Sequence, residues 1–559
     1  MYYSISSPRN VISIMLSMLI GVKSRVRLLP RSEPFRPILK TMSVTRKLPT
    51  VTLDATLADL YRRAGPKYAH KRIAQVMGPV HSAIQLTPNI PRNVKYLFQD
   101  SAFNEPARED GAFELSAEAR RELAISYVAL VGQRDGFLSG DTPLIIFNSD
   151  VEGTPESHDR IEAQKTLAVL SDEQRPNVIF CSGYSDMPVK EEKIDLLAYK
   201  LAPDALEGYA LVAPLDTAWY LNSKEALAKS GLSTPKCDII TVNEPGCDAD
   251  GCCGVCRSGS DSFLIPVDCT GPRGRWYSEQ SSKIYQQLSM RPLPFVFKNQ
   301  QSYGGAGTYL IHNEEDRAKL LRDLQNGILR RTLSSVTEDN KHLGPANIIL
   351  SELVEDPIGT WGLSFFVTED ADEPIFLAVT ELMLIERRYY IGSSVQYDRQ
   401  DELKSKFATL VRDMSRWLCS FGYVGPVGVD VLETASSGGI HPQTRGNTNG
   451  APDGCSGLHI IDINARTSGQ LCLPLLRTHF TSRGLECAAS FFMRIVKNRD
   501  QFIDMFEGDF SNGKICILSW YDDPVSGVSF GNVVVGAEDI NRLGEDVQRI
   551  RSISQELSF

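Results

Sequence analysis

The chain has 559 residues, enough for roughly three or four domains. Its 42% apolar and 23% charged residues describe an ordinary globular protein, and the net charge of −10 argues against a nucleic-acid binder, which would carry a basic surplus. With +8 in the first 48 residues (nine Lys/Arg against Glu33 alone) and −10 overall, the rest of the chain carries −18.

Residues 1–48 read as a basic leader, disordered or processed. Its one apolar run, "VISIMLSMLIGV", is too short to cross a bilayer, so a membrane anchor is disfavoured. A mitochondrial transit peptide has this character, and so does the upstream reading of a chain that starts at Met42. The expected location is therefore cytoplasmic, or mitochondrial if the leader is a genuine transit peptide. The 12 cysteines, without a convincing secretory signal, point to a reducing compartment.

Residues 49–220 begin with a segment read as largely helical to about residue 100, because "LDATLADLYRRAG" spaces its leucines helically. The apolar runs "PLIIFNSD", "NVIFCSG" and "YALVAP" then alternate with the helical stretches "SHDRIEAQKTLAVLSDEQ" and "KIDLLAYKLAPDAL". That alternation predicts a small parallel, Rossmann-like α/β domain.

From 221 the pattern becomes α+β. "NSKEALAKSGLSTP" predicts a short capped helix. A Gly/Ser/Asp/Cys-rich insertion spans 244–275, followed by the strand and loop "FVFKNQQSYGGAGTYLI". A helix, the strand "NIILSELV", and two strands, "WGLSFFVTE" and "PIFLAVTELML", come next. The helix "SKFATLVRDMSRWLCSFG" precedes the strands "VGVDVLE" and "LHIIDINAR", with a loop over 435–456 between them. The part expected to hold the site is 221–490, and 491–559 is expected to be a C-terminal extension.

Lys298 and the glycines after it suggest phosphate, but neither as a P-loop nor as a dinucleotide fingerprint, both of which place the glycines differently. Lysines 224 and 298 are point charges suited to polyphosphate oxygens. Gly304, Gly305 and Gly307 allow backbone N–H groups close to phosphate and form a lid rather than a fixed cradle. Asp430 lies in one apolar strand, and Asp462, Asn464 and Arg466 alternate along another, so those three are expected on one face. Carboxylates with an amide describe a site for Mg²⁺ completed by phosphate oxygens, and Arg466 suits a carboxylate or phosphoryl group. Either aspartate alone would read as a strand-end residue paired with a surface lysine.

In this order the motifs resemble the ATP-grasp superfamily, in particular its carboxylate–amine ligases, over about residues 205–490. "NSKEALAKSGLSTP" is similar to the opening lysine helix, with Lys224; "FVFKNQQSYGGAGTYLI" to the second lysine strand and phosphate loop; and "IILSELVED" to the adenine linker. "VGVDVLE" and "IIDINAR" are similar to the two metal strands. The resemblance implies an ATP-grasp fold preceded by a pre-ATP-grasp domain, with ATP and Mg²⁺ (or Mn²⁺) as cofactors. It implies adenine held by backbone groups around Glu352 and Val354, magnesium at Asp430, Asp462 and Asn464, and Lys298 and Arg466 as the groups serving phosphoryl transfer. A carboxylate would become an acyl phosphate and then an amide, with amino acids as the expected substrates, no nucleic-acid or membrane partner, and a homodimer left open. The alternatives are a carboxylase or thiol-forming ligase, with biotin carboxylase disfavoured for want of a carrier motif, and a nucleotide-binding protein without chemistry.

The cluster "CDADGCCGVC" offers Cys247, Cys252, Cys253 and Cys256 as zinc ligands, with Cys269 beyond; the alternative is a loop of free thiols. Glu381, Arg387 and Arg388 follow a strand and are expected to face the substrate cleft, whereas the lone His479 reads as structural.

Overall fold

The computed structural model describes residues 48–105, 115–258, 264–302, 304–435 and 457–554. The chain divides at Pro49, and the elements below belong to the unit that begins at Thr50. The basic leader through Lys47 and most of the 435–456 loop lie outside the described residues. No helix among the described residues is long and apolar enough to cross a membrane.

The first sheet is parallel. It contains β1 (Ile73–Met77), β2 (Pro143–Phe147), β3 (Asn177–Cys181) and β4 (Leu196–Tyr199), in the order β3-β2-β1-β4. Two sequence expectations are corrected here. Residues 49–100 are not largely helical: after the helices Leu57–Arg63 and Pro66–Ala69 comes β1, a central strand buried along its whole length. A five-residue run such as "IAQVM" carries no period that separates a buried strand from a helix. The fourth strand is "LLAY", from the stretch read as a helix, and "YALVAP" contributes only an isolated bridge at Leu211.

The second sheet is a small antiparallel one: β5 (Cys237–Ile240), β6 (Phe295–Lys298), β7 (Thr308–Ile311) and β8 (Ile348–Glu352), in the order β5-β8-β6-β7. Its inner face packs on the helices Pro272–Met290 and Glu314–Asp323 through Phe295, Phe297, Ile284, Leu288 and Leu320.

The third sheet has eight antiparallel strands. They are β9 (Gly359–Val367), β10 (Ile375–Ile385), β11 (Tyr389–Gln396), β12 (Gly425–Glu433), β13 (Leu458–Asn464), β14 (Cys487–Ile495), β15 (Ile515–Asp522) and β16 (Ser529–Ala537). Their order is β13-β12-β9-β10-β11-β14-β16-β15. The helix Gln400–Ser420 lays Leu403, Phe407, Leu410, Val411, Met414 and Leu418 against this sheet and ends before Gly422, whose φ of 73° reverses the chain. Residues 491–559 are thus no appendage: the boundary at 490 falls inside β14, and the sheet is completed by the strands that follow.

The parallel domain is keyed to β15 by one buried amide. Gln133 Nε2 donates to Trp520 O at 3.0 Å, while its Oε1 accepts from Trp520 N at 2.9 Å and from Thr166 Oγ1 at 2.7 Å. Every polar atom of that side chain is satisfied, which is what makes its burial tolerable.

His479 is structural, as its sequence context suggests. It is buried, with Nε2 2.9 Å from Gly513 O, and burial lowers its pKa to about 4. The unfolded chain therefore binds a proton that the folded chain refuses between about 4 and 6.5, so stability rises with pH across that window and is lost as pH falls through it. The full contribution is on the order of 3 kcal/mol. Urea melts of wild type and His479→Gln between pH 4 and 7 should show a shallower acid limb in the variant; equal slopes would show that His479 does not titrate on unfolding.

Candidate nucleotide and metal site

Lys298 is the last residue of β6, paired with Thr308 on one side and Ile349 on the other. Its Nζ donates to Ile461 O at 2.8 Å. That carbonyl is available because β13 carries a bulge: Asp430 pairs with Asp462 and Val431 with Ile460, leaving Ile461 unmatched. Burial lowers the Lys298 pKa, and Lys224 nearby adds to the effect while Asp462 opposes it.

Lys224 opens the helix Lys224–Lys229, which Ser223 caps by accepting from Ala226 N. The Lys224 side chain is buried, and its Nζ lies 2.5 Å from Asp462 Oδ1. The "GLSTP" segment after the helix is stitched to β13: Ile460 N donates to Ser233 O at 2.7 Å, and Thr234 Oγ1 to Ile460 O at 2.8 Å. Both lysines therefore converge on residues 461 and 462.

Asp430 and Asp462 are direct cross-strand partners and share a face of the sheet. Asn464, two residues beyond Asp462, sits opposite Gly428 on the same face. Enclosure by protein pushes Asp430 up to about 7, and the Asp462 carboxylate adds to this. Two carboxylates and an amide held this way form an oxygen donor set that a hard divalent cation would relieve of its repulsion.

Arg466 is not on the strand with Asp462 and Asn464 as the sequence suggests. β13 ends at Asn464, and Arg466 N turns back to Asn464 O at 2.8 Å. The turn carries the buried guanidinium into an adjoining pocket, where Nη1 donates to Asn222 Oδ1 at 2.8 Å. Lys200, Trp219, Gln301 and Tyr423 also line that pocket. Lys200 Nζ contacts Asp135 Oδ2 at 2.7 Å and Thr467 O at 3.0 Å.

Gly304, Gly305 and Gly307 all have positive φ, at 61°, 89° and 64°. A Cβ on Gly305 would lie 2.2 Å from Arg388 O, so only glycine fits there. Arg388 Nη1 in turn donates to Thr308 O at 3.0 Å. Arg388 thus holds the hairpin of β6 and β7, and Arg387 lies with it in the β10–β11 turn. Glu381 sits within β10, half-buried, with its pKa raised by burial.

Glu352 ends β8 with its side chain exposed, and its N–H is already given to Lys236 O at 2.9 Å. That N–H is therefore committed to the sheet and is not open to a ligand. Cys247 is not one of a group of four converging sulfurs: those belong to Cys252, Cys253, Cys256 and Cys269.

The amides after Lys298 complete the site's framework, although no motif marks them. Gln300 Nε2 donates to Glu225 Oε2 at 2.7 Å, and its backbone O accepts from Lys224 N at 3.0 Å. Gln301 exchanges bonds with Gln99: Gln99 N donates to Gln301 O at 2.7 Å, and Gln301 N to Gln99 Oε1 at 3.2 Å. Asn299, Gln300 and Gln301 are all buried. Three consecutive amides after an apolar strand were the available signal, since buried amides need fixed partners. Asn222 and Lys200 carried no comparable signal.

No family model and no curated protein matches the chain. Among solved structures, N5-carboxyaminoimidazole ribonucleotide synthetase from Thermus thermophilus is 12% identical, over 87% of this chain and 99% of its own, with a TM-score of 0.41. Carboxyaminoimidazole ribonucleotide synthase from Aspergillus clavatus, complexed with ATP, is 11% identical over 86% and 98%, with a TM-score of 0.41. Biotin carboxylase from Campylobacter jejuni is 10% identical over 87% and 92%, with a TM-score of 0.42. Likenesses this distant carry no weight in assigning a function.

Asp430 should betray the cation. Its raised pKa means that stability falls as pH rises from about 4 to about 7, and that the full cost is present above that window. At pH 8 in chelator, Asp430→Asn should therefore melt a few degrees above wild type. Mg²⁺ with ATP should raise the Tm of wild type and raise that of the variant less. A variant that melts lower in chelator, or gains as much from Mg²⁺ with ATP, would remove Asp430 from the site.

Proposed function

We propose that this protein is an ATP-grasp ligase that uses ATP to activate a carboxylate as an acyl phosphate, releases ADP, and joins the acyl group to an amine. The observation that carries this reading is the convergence of Lys298 and Lys224 on Ile461 and Asp462, directly across from Asp430. Two cations and two carboxylates on one patch of sheet, beside a left-handed glycine turn, match the needs of a metal-bound polyphosphate.

Asp430, Asp462 and Asn464 fit Mg²⁺, which would supply charge neutralisation at the phosphate oxygens. Lys224 is the counter-ion of Asp462. A polyphosphate gives that ammonium a second acceptor, so binding loosens the ion pair and opens the carboxylate to the cation. Lys298, anchored on the bulge carbonyl, stands beside the transferring group. The glycine turn brings backbone N–H groups toward the phosphates and helps to exclude the water that would hydrolyse an acyl phosphate. Arg466, set by Asn222, offers its fork to the carboxylate being phosphorylated. The pocket around Arg466, Lys200 and Gln301 is then the carboxylate site.

ADP release against a panel of amino acids and other carboxylates, with and without amines, tests the reaction class. Sustained ADP turnover only when both partners are present is expected; AMP, or no nucleotide turnover with any pair, overturns it.

The roles of Asp462 and Arg466 separate by metal response. Asp462→Asn removes a charge from the cation site, so raising Mg²⁺ or substituting Mn²⁺ should restore part of its activity. Arg466→Lys keeps the charge but loses the fork, so turnover should fall on the order of a hundredfold, with no rescue by metal. Like responses in the two variants would refute this division of roles.

A further inference from the structure

The described part of the 244–275 insertion brings four thiols together. Cys252, Cys253, Cys256 and Cys269 offer sulfur atoms that all lie within 4.8 Å of one another. From Cys269 Sγ the distances are 3.6 Å to Cys252, 3.8 Å to Cys253 and 3.4 Å to Cys256. Sulfurs at the corners of a tetrahedron around zinc, each about 2.3 Å from the ion, stand about 3.8 Å apart. Disulfide sulfurs would stand about 2.05 Å apart, and all four cysteines are free. A four-iron cluster would need its cysteine sulfurs spread over a wider frame.

A backbone N–H at a helix start is turned onto the cluster. Cys252 Sγ accepts from Arg273 N at 3.4 Å, so a sulfur satisfies one of the open donors in the first turn of the helix Pro272–Met290. A cysteine packed merely as a small hydrophobe gains nothing from such a donor.

Two glycines make the convergence sterically feasible. A Cβ on Gly271 would lie 2.6 Å from Cys252 Sγ, and one on Gly274 would lie 1.8 Å from Cys269 O and 3.2 Å from its sulfur. Cys256 and Cys269 are buried, in the same core as Trp276, Ile284, Phe295 and Phe297. Phe295 and Phe297 are the inward residues of β6, the strand that ends in Lys298.

We propose that Cys252, Cys253, Cys256 and Cys269 bind one zinc ion as a closed, four-thiolate structural site. Each thiol gives its proton to solvent as its sulfur takes the metal. With four protein ligands no position is left for substrate, so the ion fastens rather than catalyses. It ties the short helix Gly254–Ser258 to the start of the helix Pro272–Met290, and so braces the core behind β6. The site stands or falls independently of the reaction performed in the cleft.

The test is metal analysis of the full chain purified under reducing conditions from zinc-replete cells. About one zinc per chain is expected, with X-ray absorption showing four sulfurs at about 2.3 Å. Cys247→Ser should keep the full zinc content, and Cys269→Ser should lose it. Because Cys269→Ser can fail to fold, the wild-type protein is also exchanged with Co²⁺, which should give the intense visible bands of a tetrahedral tetrathiolate. Any of four results overturns the proposal: no bound zinc together with no tetrahedral cobalt spectrum; loss of zinc in Cys247→Ser; iron with acid-labile sulfide; or disulfides among the four under reducing conditions.

Discussion

The cleft is organised by two lysine ammonium groups turned onto one stretch of β-strand. Withdrawing cations from water costs several kcal/mol each unless strong partners replace the solvent. Lys298 finds its partner in the unmatched carbonyl of Ile461, and Lys224 in the carboxylate of Asp462. The bulge that frees the carbonyl is also what sets Asp462 directly opposite Asp430. One extra residue in β13 therefore decides where the cations and anions of the cleft stand.

That arrangement is held from behind by neutral side chains. Gln300, two residues beyond the lysine strand, is tied to the start of the Lys224 helix through Lys224 N and Glu225. Gln301 joins the same segment to Gln99, in the part of the chain that also builds the parallel sheet. The amide network fixes the lysine positions without adding net charge to a place where charge is already concentrated. It also means that the parallel domain is a structural component of the cleft and not merely its neighbour.

Much of this was legible in the sequence, and the failures have physical causes. Lys224, Lys298, Asp430 and Asp462 stood out because charged residues in apolar strands or at a capped helix start demand partners, and their spacing survives any error in element boundaries. Arg466 was misplaced because alternation assumes that a strand continues, whereas the chain turns after Asn464. β1 and β4 escape the sequence pattern because strands this short, buried wholly or at their centre, show no two-residue period. β11 and the three strands after residue 486 gave no motif to attach them to the sheet. Cys269 replaced Cys247 because sequence proximity favours the nearer thiol, while the start of the helix Pro272–Met290 brings the farther one into contact.

The strand order of the large sheet has a bearing on how the protein comes into being on the ribosome. β11 pairs with β14, matching Ser394 to Ala489, and β14 in turn pairs with β16, whose last residue is Ala537. The strands that bear Asp430 and Asp462 are synthesised before those that close the far side of their sheet. A nascent chain released only as far as β13 presents β11 as an open edge, with backbone donors and acceptors facing solvent or other chains. Such long-range pairings are slow to form and leave partly built sheets open to aggregation. The last strands therefore act as an intramolecular cover, and the period before they emerge is when this chain most needs protection.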